Sequence, residues 1–511
     1  MDGLDEAAGR PGPHQGPGSP ARADGEAGQG HAADHHRRPI RRVQGRYRGI
    51  YADRGEGSRR GRRTLEGLPD LGRRRRGGSP TRAADGHVTE LHEHLFRREA
   101  GRLVATLTRI FGVENLALAE DVVQDAFCRA LEVWPFRGVP DNPSAWLMAT
   151  AKHRALDVLR RERTARTLAP ELARALEPAE PLFTEDAIRD DQLRMMLSCC
   201  HPGLSEAAQV ALMLHILCGF SVDEVAGAFV STHAGVEKRL SRAKHVLAQS
   251  QRLFEIADPA DFAARLPAVQ RALYLLFNEG YHGASPEAAV RAELCREALR
   301  LTGLLLEHSV ATTPATYALA ALMCLHAARL PARLDAAGHL SVLAEQDRSR
   351  WDPDLMAEGQ RLLELSASGP ELSEYHLEAA IAAVHASAPR LEDTNWAHIV
   401  WLYDTLLAVR PSPVVALNRA IAVAQRDGPE RGLEAIAAIA DRKRLDGYPF
   451  YHAALGELEL RRGKNDAARR HFGAALALAR NAMERQFLEQ RMEACDAGKA
   501  DLAWHPGPSC R

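Results

Sequence analysis

The stretch whose reading decides the fold is Phe220 to Lys244, FSVDEVAGAFVSTHAGVEKRLSRAK. Ser221 followed by Glu224 predicts a capping box, in which each side chain bonds the other residue's free backbone N–H. Val222, Val225, Ala226 and Phe229 then give a first short helix its apolar stripe. After a tight turn, a second helix buries Val236, Leu240 and Ala243. It leaves Glu237, Lys238, Arg239, Ser241, Arg242 and Lys244 facing outward. This is the layout of a helix-turn-helix that reads DNA: apolar residues hold the helices together while donors reach phosphates and base edges. Two ordinary packed helices with a solvated cationic face would give a similar pattern. The upstream sequence separates the two readings.

Ala119 to Trp134, AEDVVQDAFCRALEVW, repeats its apolar residues at the spacing of one buried helix face: Ala119, Val122, Val123, Ala126, Phe127, Ala130, Leu131 and Trp134. Glu120, Asp121, Gln124, Asp125 and Arg129 lie on the other face. Pro135 is expected to stop this helix, with FRGVPDNP as a loop. Another helix is expected from near Ser144, SAWLMATAKHRALDVLRRERTAR. Its outward stripe carries Lys152, His153, Asp157, Arg160 and Arg161, and Trp146 lies near its start.

An acidic helix, a Pro/Gly loop and a basic helix with an aromatic, followed by a helix-turn-helix, resemble a bacterial sigma factor of the sigma-70 family, extracytoplasmic-function type. AEDVVQDAF resembles region 2.2, WLMATAKHRALDVLRRER regions 2.3 and 2.4, and VDEVAGAFVSTHAGVEKRLSRAK region 4.2, in family order across about Leu91 to Leu247. The resemblance implies two partners: core RNA polymerase, through its β′ clamp and β subunits, and promoter DNA. By carry-over, Asp121, Gln124 and Asp125 would contact the polymerase. Trp146, Lys152, His153, Arg154, Arg160 and Arg161 would serve the −10 strand, where melted bases are held on aromatic faces and cations. The loop from Phe136 to Asn142, with Arg137, sits where the family captures a flipped base. Thr232, His233, Glu237, Lys238, Arg239 and Arg242 would meet the −35 duplex, with Lys244 on phosphate. For Trp146 a place in the core is the competing expectation.

The chain departs from the family pattern at several positions. Val230 and Ser231 stand where many such turns have a glycine and an apolar residue. Gly235 falls inside the expected recognition helix, at a cost of roughly 1 kcal/mol relative to alanine. Glu237 places a carboxylate where a cation is frequent, and a carboxylate can accept from cytosine N4.

Leu168 to Leu193 is rich in Pro, Ala and acids (Glu171, Glu177, Glu180, Glu185, Asp186, Asp190 and Asp191) and reads as a solvated spacer. In the family the equivalent linker threads a cationic path in the polymerase, which negative charge suits. The net charge of −1 conceals a split. Residues 1–86 hold 18 arginines, no lysine and 11 acidic residues, and the rest holds 48 basic and 56 acidic residues. A DNA-binding chain with an acidic remainder must concentrate its cations locally, and the two basic helices do so. Residues 1–86 read as a disordered Arg/Gly/Pro-rich arm or, more economically, as the product of a start site placed upstream of a true start near Val88. No apolar run has the ~18 residues of a membrane span, so the expectation is a cytoplasmic protein with no membrane partner. Cys199-Cys200-His201 invites a zinc reading, but adjacent helix residues diverge and no second ligand pair follows at metal spacing. Small buried thiols in a helix ended by Pro202 are expected instead, with no metal and no cofactor.

From about Arg252 the chain is Ala/Leu-rich and helical, with Pro and Gly marking loops. Leu455, Gly456, Ala468, Phe472 and Ala475 fall at tetratricopeptide-repeat spacings, and Leu417, Ala420, Gly432 and Ile436 form a looser copy. YLLFNEGYHG (Tyr274–Gly283), EQDRSRWD (Glu345–Asp352) and SPVVALNRAIAV (Ser412–Val423) resemble segments of an extracytoplasmic-function group with a long C-terminal helical extension. Asn278, Glu279, Tyr281, His282, Asp347, Arg348 and Arg350 could suggest an active site. They lack a nucleophile–base pair, a phosphate loop or metal spacing. Buried polar clusters and a contact between extension and sigma core are the expected roles.

The reading is therefore an all-α, non-enzymatic sigma factor whose C-terminal domain modulates it, by itself or with a regulatory protein or ligand. Residues 1–86 form the arm, 87–166 region 2, 167–190 the acidic linker, 191–250 region 4, 251–496 the helical domain and 497–511 a tail. The alternatives are a helix-turn-helix regulator with a helical-repeat sensor domain, and a scaffold with a degenerate sigma-like part.

Overall fold

A computed structural model describes residues 99–161, 185–228, 231–249, 259–282, 290–335 and 339–496. Among them there are helices and no β-strand; an isolated bridge pairs Leu334 with Leu340. The all-α expectation holds. The N-terminal arm, most of the acidic linker, Phe229, Val230 and the tail lie outside the described residues.

The first group of helices comprises α1 (99–111), α2 (Leu116–Arg137) and α3 (Pro143–Arg161). α2 buries Leu116, Ala119, Val122, Val123, Ala126, Ala130 and Trp134, as its periodicity requires, while Leu131 is exposed. Pro135 does not end this helix, contrary to expectation. A proline so near the C-terminus forfeits one late hydrogen bond, and the helix closes at Gly138. There φ is 80° and the amide N–H donates to the Trp134 carbonyl at 2.9 Å. α3 begins one residue before Ser144, because Pro143 suits a first helical position and Asn142 Oδ1 accepts from the Ala145 N–H at 3.0 Å.

The second group comprises α4 (Glu185–Cys199), α5 (Glu206–Ile216), α6 (Val222–Ala228) and α7 (His233–Ala248). The expected spacer through Leu193 therefore ends earlier. Asp191 lies on α4, almost fully buried, 2.7 Å from Nε of Arg109 in α1. A carboxylate so desolvated titrates above its ordinary value despite the arginine. Cys199 and Cys200 are buried at the end of α4, and burial pushes the Cys200 thiol up to about 12. The capping box forms: Ser221 N–H donates to Glu224 at 2.8 Å and Glu224 N–H to the Ser221 hydroxyl at 3.2 Å. Gly235 lies in the first turn of α7, where its N–H donates to the capping Thr232 hydroxyl, so the interior-glycine cost expected above does not apply.

The C-terminal domain runs through α8 (Pro259–Tyr281), α9 (Ala292–Glu307), α10 (Pro314–Ala327), α11 (Pro353–Ser366), α12 (Glu374–Ser387), α13 (Trp396–Val409), α14 (Pro413–Asp427), α15 (Pro429–Ala437), α16 (Pro449–Arg461), α17 (Asn465–Ala477) and α18 (Ala482–Asp496). Both repeat-like segments are helix pairs. A Cβ on Gly456 would lie 2.8 Å from the buried Phe472 ring, and one on Gly432 would lie 2.4 Å from Ala424 Cβ. Glycine there lets the paired helices approach. Leu417, Ala420, Ile436, Ala468, Phe472 and Ala475 share one core.

Candidate nucleic-acid interface

The exposed end of the α2–α3 hairpin is its connecting loop. Phe136 is 89% exposed, flanked by exposed Leu131, Arg137 and Val139. An aromatic this exposed is open to contact by a partner. Trp146 is half-buried and meets Trp134 edge-on at 5.5 Å, which places it at the rim of the hairpin core. Asn142 is exposed, and its side chain caps α3.

Asp121, Gln124 and Asp125 are exposed on one face of α2, and His153 and Arg154 are exposed on α3. The two faces adjoin, since Arg154 Nε donates to Asp125 Oδ2 at 2.6 Å. That bond raises the guanidinium's pKa. Lys152 is half-buried, and burial lowers its pKa. Arg160 and Arg161 lie in the last turn of α3, with side chains outside the described residues.

On α7, Val236, Leu240, Ala243 and Leu247 are buried, while Thr232, His233, Glu237, Lys238 and Arg242 are exposed and Arg239 is half-buried. Thr232 caps the helix. His233 Nδ1 lies 2.6 Å from Asp223 Oδ1, a hydrogen bond that raises the imidazole's pKa. Lys244, also expected on phosphate, donates to both carboxylate oxygens of Glu120 on α2, at 2.7 and 2.9 Å. His215 Nε2 stands 3.6 Å from the same carboxylate, and its pKa is lowered chiefly by burial.

Sequence reasoning missed what holds these surfaces. Glu120 reads as one more outward acid, yet it ties the hairpin to α7. Gly101 of α1 packs so closely that a Cβ would fall 2.2 Å from the Leu217 carbonyl oxygen beyond α5. Glu224 accepts from its own cap through Oε2 and from Arg291 through Oε1, at 2.5 Å, linking the helix-turn-helix to the C-terminal domain. Arg265 donates to the Leu197 carbonyl at 3.2 Å, and Arg300 to Gln192 at 3.2 Å. The helix carrying the first of the three segments expected at this junction, α8, packs on α4 and α5, while the polar side chains of the first two find partners within their own domain. Tyr274 bonds Glu378, His282 meets Arg333, and Arg348 donates to the His385 carbonyl, all inside the C-terminal domain. Asp347 caps a short turn, and Arg350 donates to the Leu334 carbonyl. Sequence spacing carries no signal for such long-range partners.

Among the described residues, no group of histidine, cysteine and carboxylate side chains could hold a metal ion. Nor is any helix among them long and apolar enough to cross a membrane.

Residues 95–165 match the family model for Sigma-70 region 2. Residues 265–367 match a family of unknown function (DUF6596). An uncharacterized protein of Rhizobium meliloti (strain 1021) is 38% identical over 405 residues, covering 78% of this chain and 95% of the relative. No solved structure matches.

Proposed function

We infer the function of this chain from one premise: it belongs to the sigma-70 family. As a sigma factor of extracytoplasmic-function type it docks on core RNA polymerase through Asp121, Gln124 and Asp125. It captures the melted −10 strand with the Phe136–Asn142 loop, Trp146 and the basic face of α3. It reads the −35 duplex through α7. The observation that carries this reading is the exposed Phe136 loop, adjoining an acidic helix face and a basic one within the matched segment. A helix-turn-helix regulator would have no use for that hairpin.

The C-terminal domain, a tetratricopeptide-like array in this reading, controls access to the two DNA-reading units. Elements centred at −10 and −35 lie about 25 base pairs apart, on the order of 80 Å of duplex at 3.4 Å per base pair. Helices joined by the Lys244–Glu120 bond cannot occupy both, so engagement requires α2 and α7 to separate. Arg291 on Glu224 supports a role for the C-terminal domain in holding the closed arrangement.

Run-off transcription with core polymerase over a genomic promoter library tests this. The full chain should yield promoter-specific transcripts absent without it, and Arg291→Glu, which opposes Glu224, should raise output severalfold. Silence together with no polymerase binding would move the reading to a DNA-binding regulator.

A further inference from the structure

The segment of unknown function contains a cluster that the transcription reading leaves unused. At its centre is Tyr281, fully buried at the end of α8. Four basic side chains surround its ring: Arg333 at 4.7 Å, His282 at 5.0 Å, His326 at 5.1 Å and Arg329 at 6.0 Å. Arg329, Arg333 and His326 are each more than nine-tenths buried.

Buried cations are normally matched by carboxylates. Here the guanidiniums bond neutral groups. Arg333 donates to the Tyr281 carbonyl at 3.3 Å and faces His282 Nδ1 at 3.0 Å, and Arg329 donates to Gln346 at 3.3 Å. Among the described residues neither forms an ion pair. The electrostatics agree: Arg329, Arg333 and Arg480 all push the His282 imidazole toward its neutral form, beyond the effect of burial. The Tyr281 ring can offset part of the cationic repulsion, but its face cannot satisfy N–H donors directed elsewhere. Among the described residues, Arg333 Nε, His282 Nε2, His326 Nδ1, Tyr281 Oη and Asn278 Nδ2 are all buried without a hydrogen-bond partner. Few native side chains are left so, and orphans on Arg333, His282, His326 and the tyrosine itself point to a shared acceptor.

We propose that the Tyr281–His282–His326–Arg329–Arg333 cluster binds a small oxyanion ligand, a phosphate- or carboxylate-bearing molecule. An oxyanion is acceptor-only with several lone pairs, the complement of two guanidiniums and neutral imidazole N–H groups. Its charge would compensate cations that find no counter-charge among the described residues. The position matters as well. Tyr281 ends α8 and His282 follows it, His326 lies on α10, and His282 faces Phe450 of α16 at 6.4 Å, with Arg480 over that ring. A ligand here touches early helices of the C-terminal domain near the point where they meet the late ones, so its binding would stiffen the domain as a unit.

The test is a thermal-unfolding titration of the full chain with inorganic phosphate and, separately, succinate, each against sodium chloride at equal ionic strength. At a concentration tenfold above its Kd, the bound class should raise the midpoint by about 3–6 °C. A response to phosphate alone assigns a phosphate site, and a response to succinate alone assigns a carboxylate site. Arg333→Met should abolish the rise, read against that variant's own midpoint in chloride. If that variant does not fold, His326→Leu is read in the same titration. Neither anion exceeding chloride, or a variant that keeps the full rise, overturns the proposal. The readout is binding and stands apart from transcription.

Discussion

Several side chains whose chemistry is plain in the sequence acquire their role from one distant neighbour. Glu378 is buried beside Tyr274, whose hydroxyl donates to it at 2.9 Å, and burial pushes its pKa to about 7 from an ordinary 4.5. Between those values the folded chain holds a proton that the unfolded chain has released. This contribution is complete below about pH 4.5 and is lost as pH rises through about 7, a difference on the order of 3 kcal/mol. Glu378→Gln, which keeps an acceptor for Tyr274, should flatten the midpoint-against-pH curve over that window. An unchanged slope would show that the carboxyl is ionised in the fold. Lys244 gives the same lesson: its place on the outer edge of α7 was legible, and its bond to Glu120 was not.

At the scale of elements, local chemistry foretold most of the helices. The capping box, the apolar stripes of α2 and α7 and the glycine-mediated packing of α16 on α17 all follow from short-range spacing. Errors arose where a local rule met a competing one. Pro135 was expected to stop α2, but Gly138 supplies the backbone conformation that ends it. The acidic stretch read as spacer, yet Asp191 is buried by α1 and becomes part of α4. Asn142 has two candidate duties, capping α3 and meeting DNA. Asn142→Ala should cost about 1 kcal/mol in stability through the lost cap, whereas Asn142→Asp should restore it. If Asp restores stability but not promoter melting, measured by permanganate reactivity of the −10 strand, the side chain serves the DNA as well.

Across the whole molecule, the described hairpin, helix-turn-helix and C-terminal domain are bonded to one another. The backbone of α1 meets the end of α5 at Gly101 with no room for a methyl group. Gly101→Ala favours the helix by up to roughly 1 kcal/mol but should force α1 away from Leu217. We expect faster hydrogen exchange in α5 and α7 and tighter binding to core polymerase. A variant with unaltered exchange and affinity would remove this contact from the regulatory account.

The sequence by itself determined the all-α class, the order of the hairpin and the helix-turn-helix, and most of the residues on their outer faces. Helix periodicity, caps and turn residues are encoded within a few positions of one another. Only the tertiary structure decided which outward charges are engaged within the chain. Lys244 finds Glu120 across 124 residues, and Arg291 finds Glu224 across 67. It also decided that four basic side chains surround one buried tyrosine. Such partners are selected by burial and by the high cost of an unmatched charge in a low dielectric, and both depend on how separate helices pack.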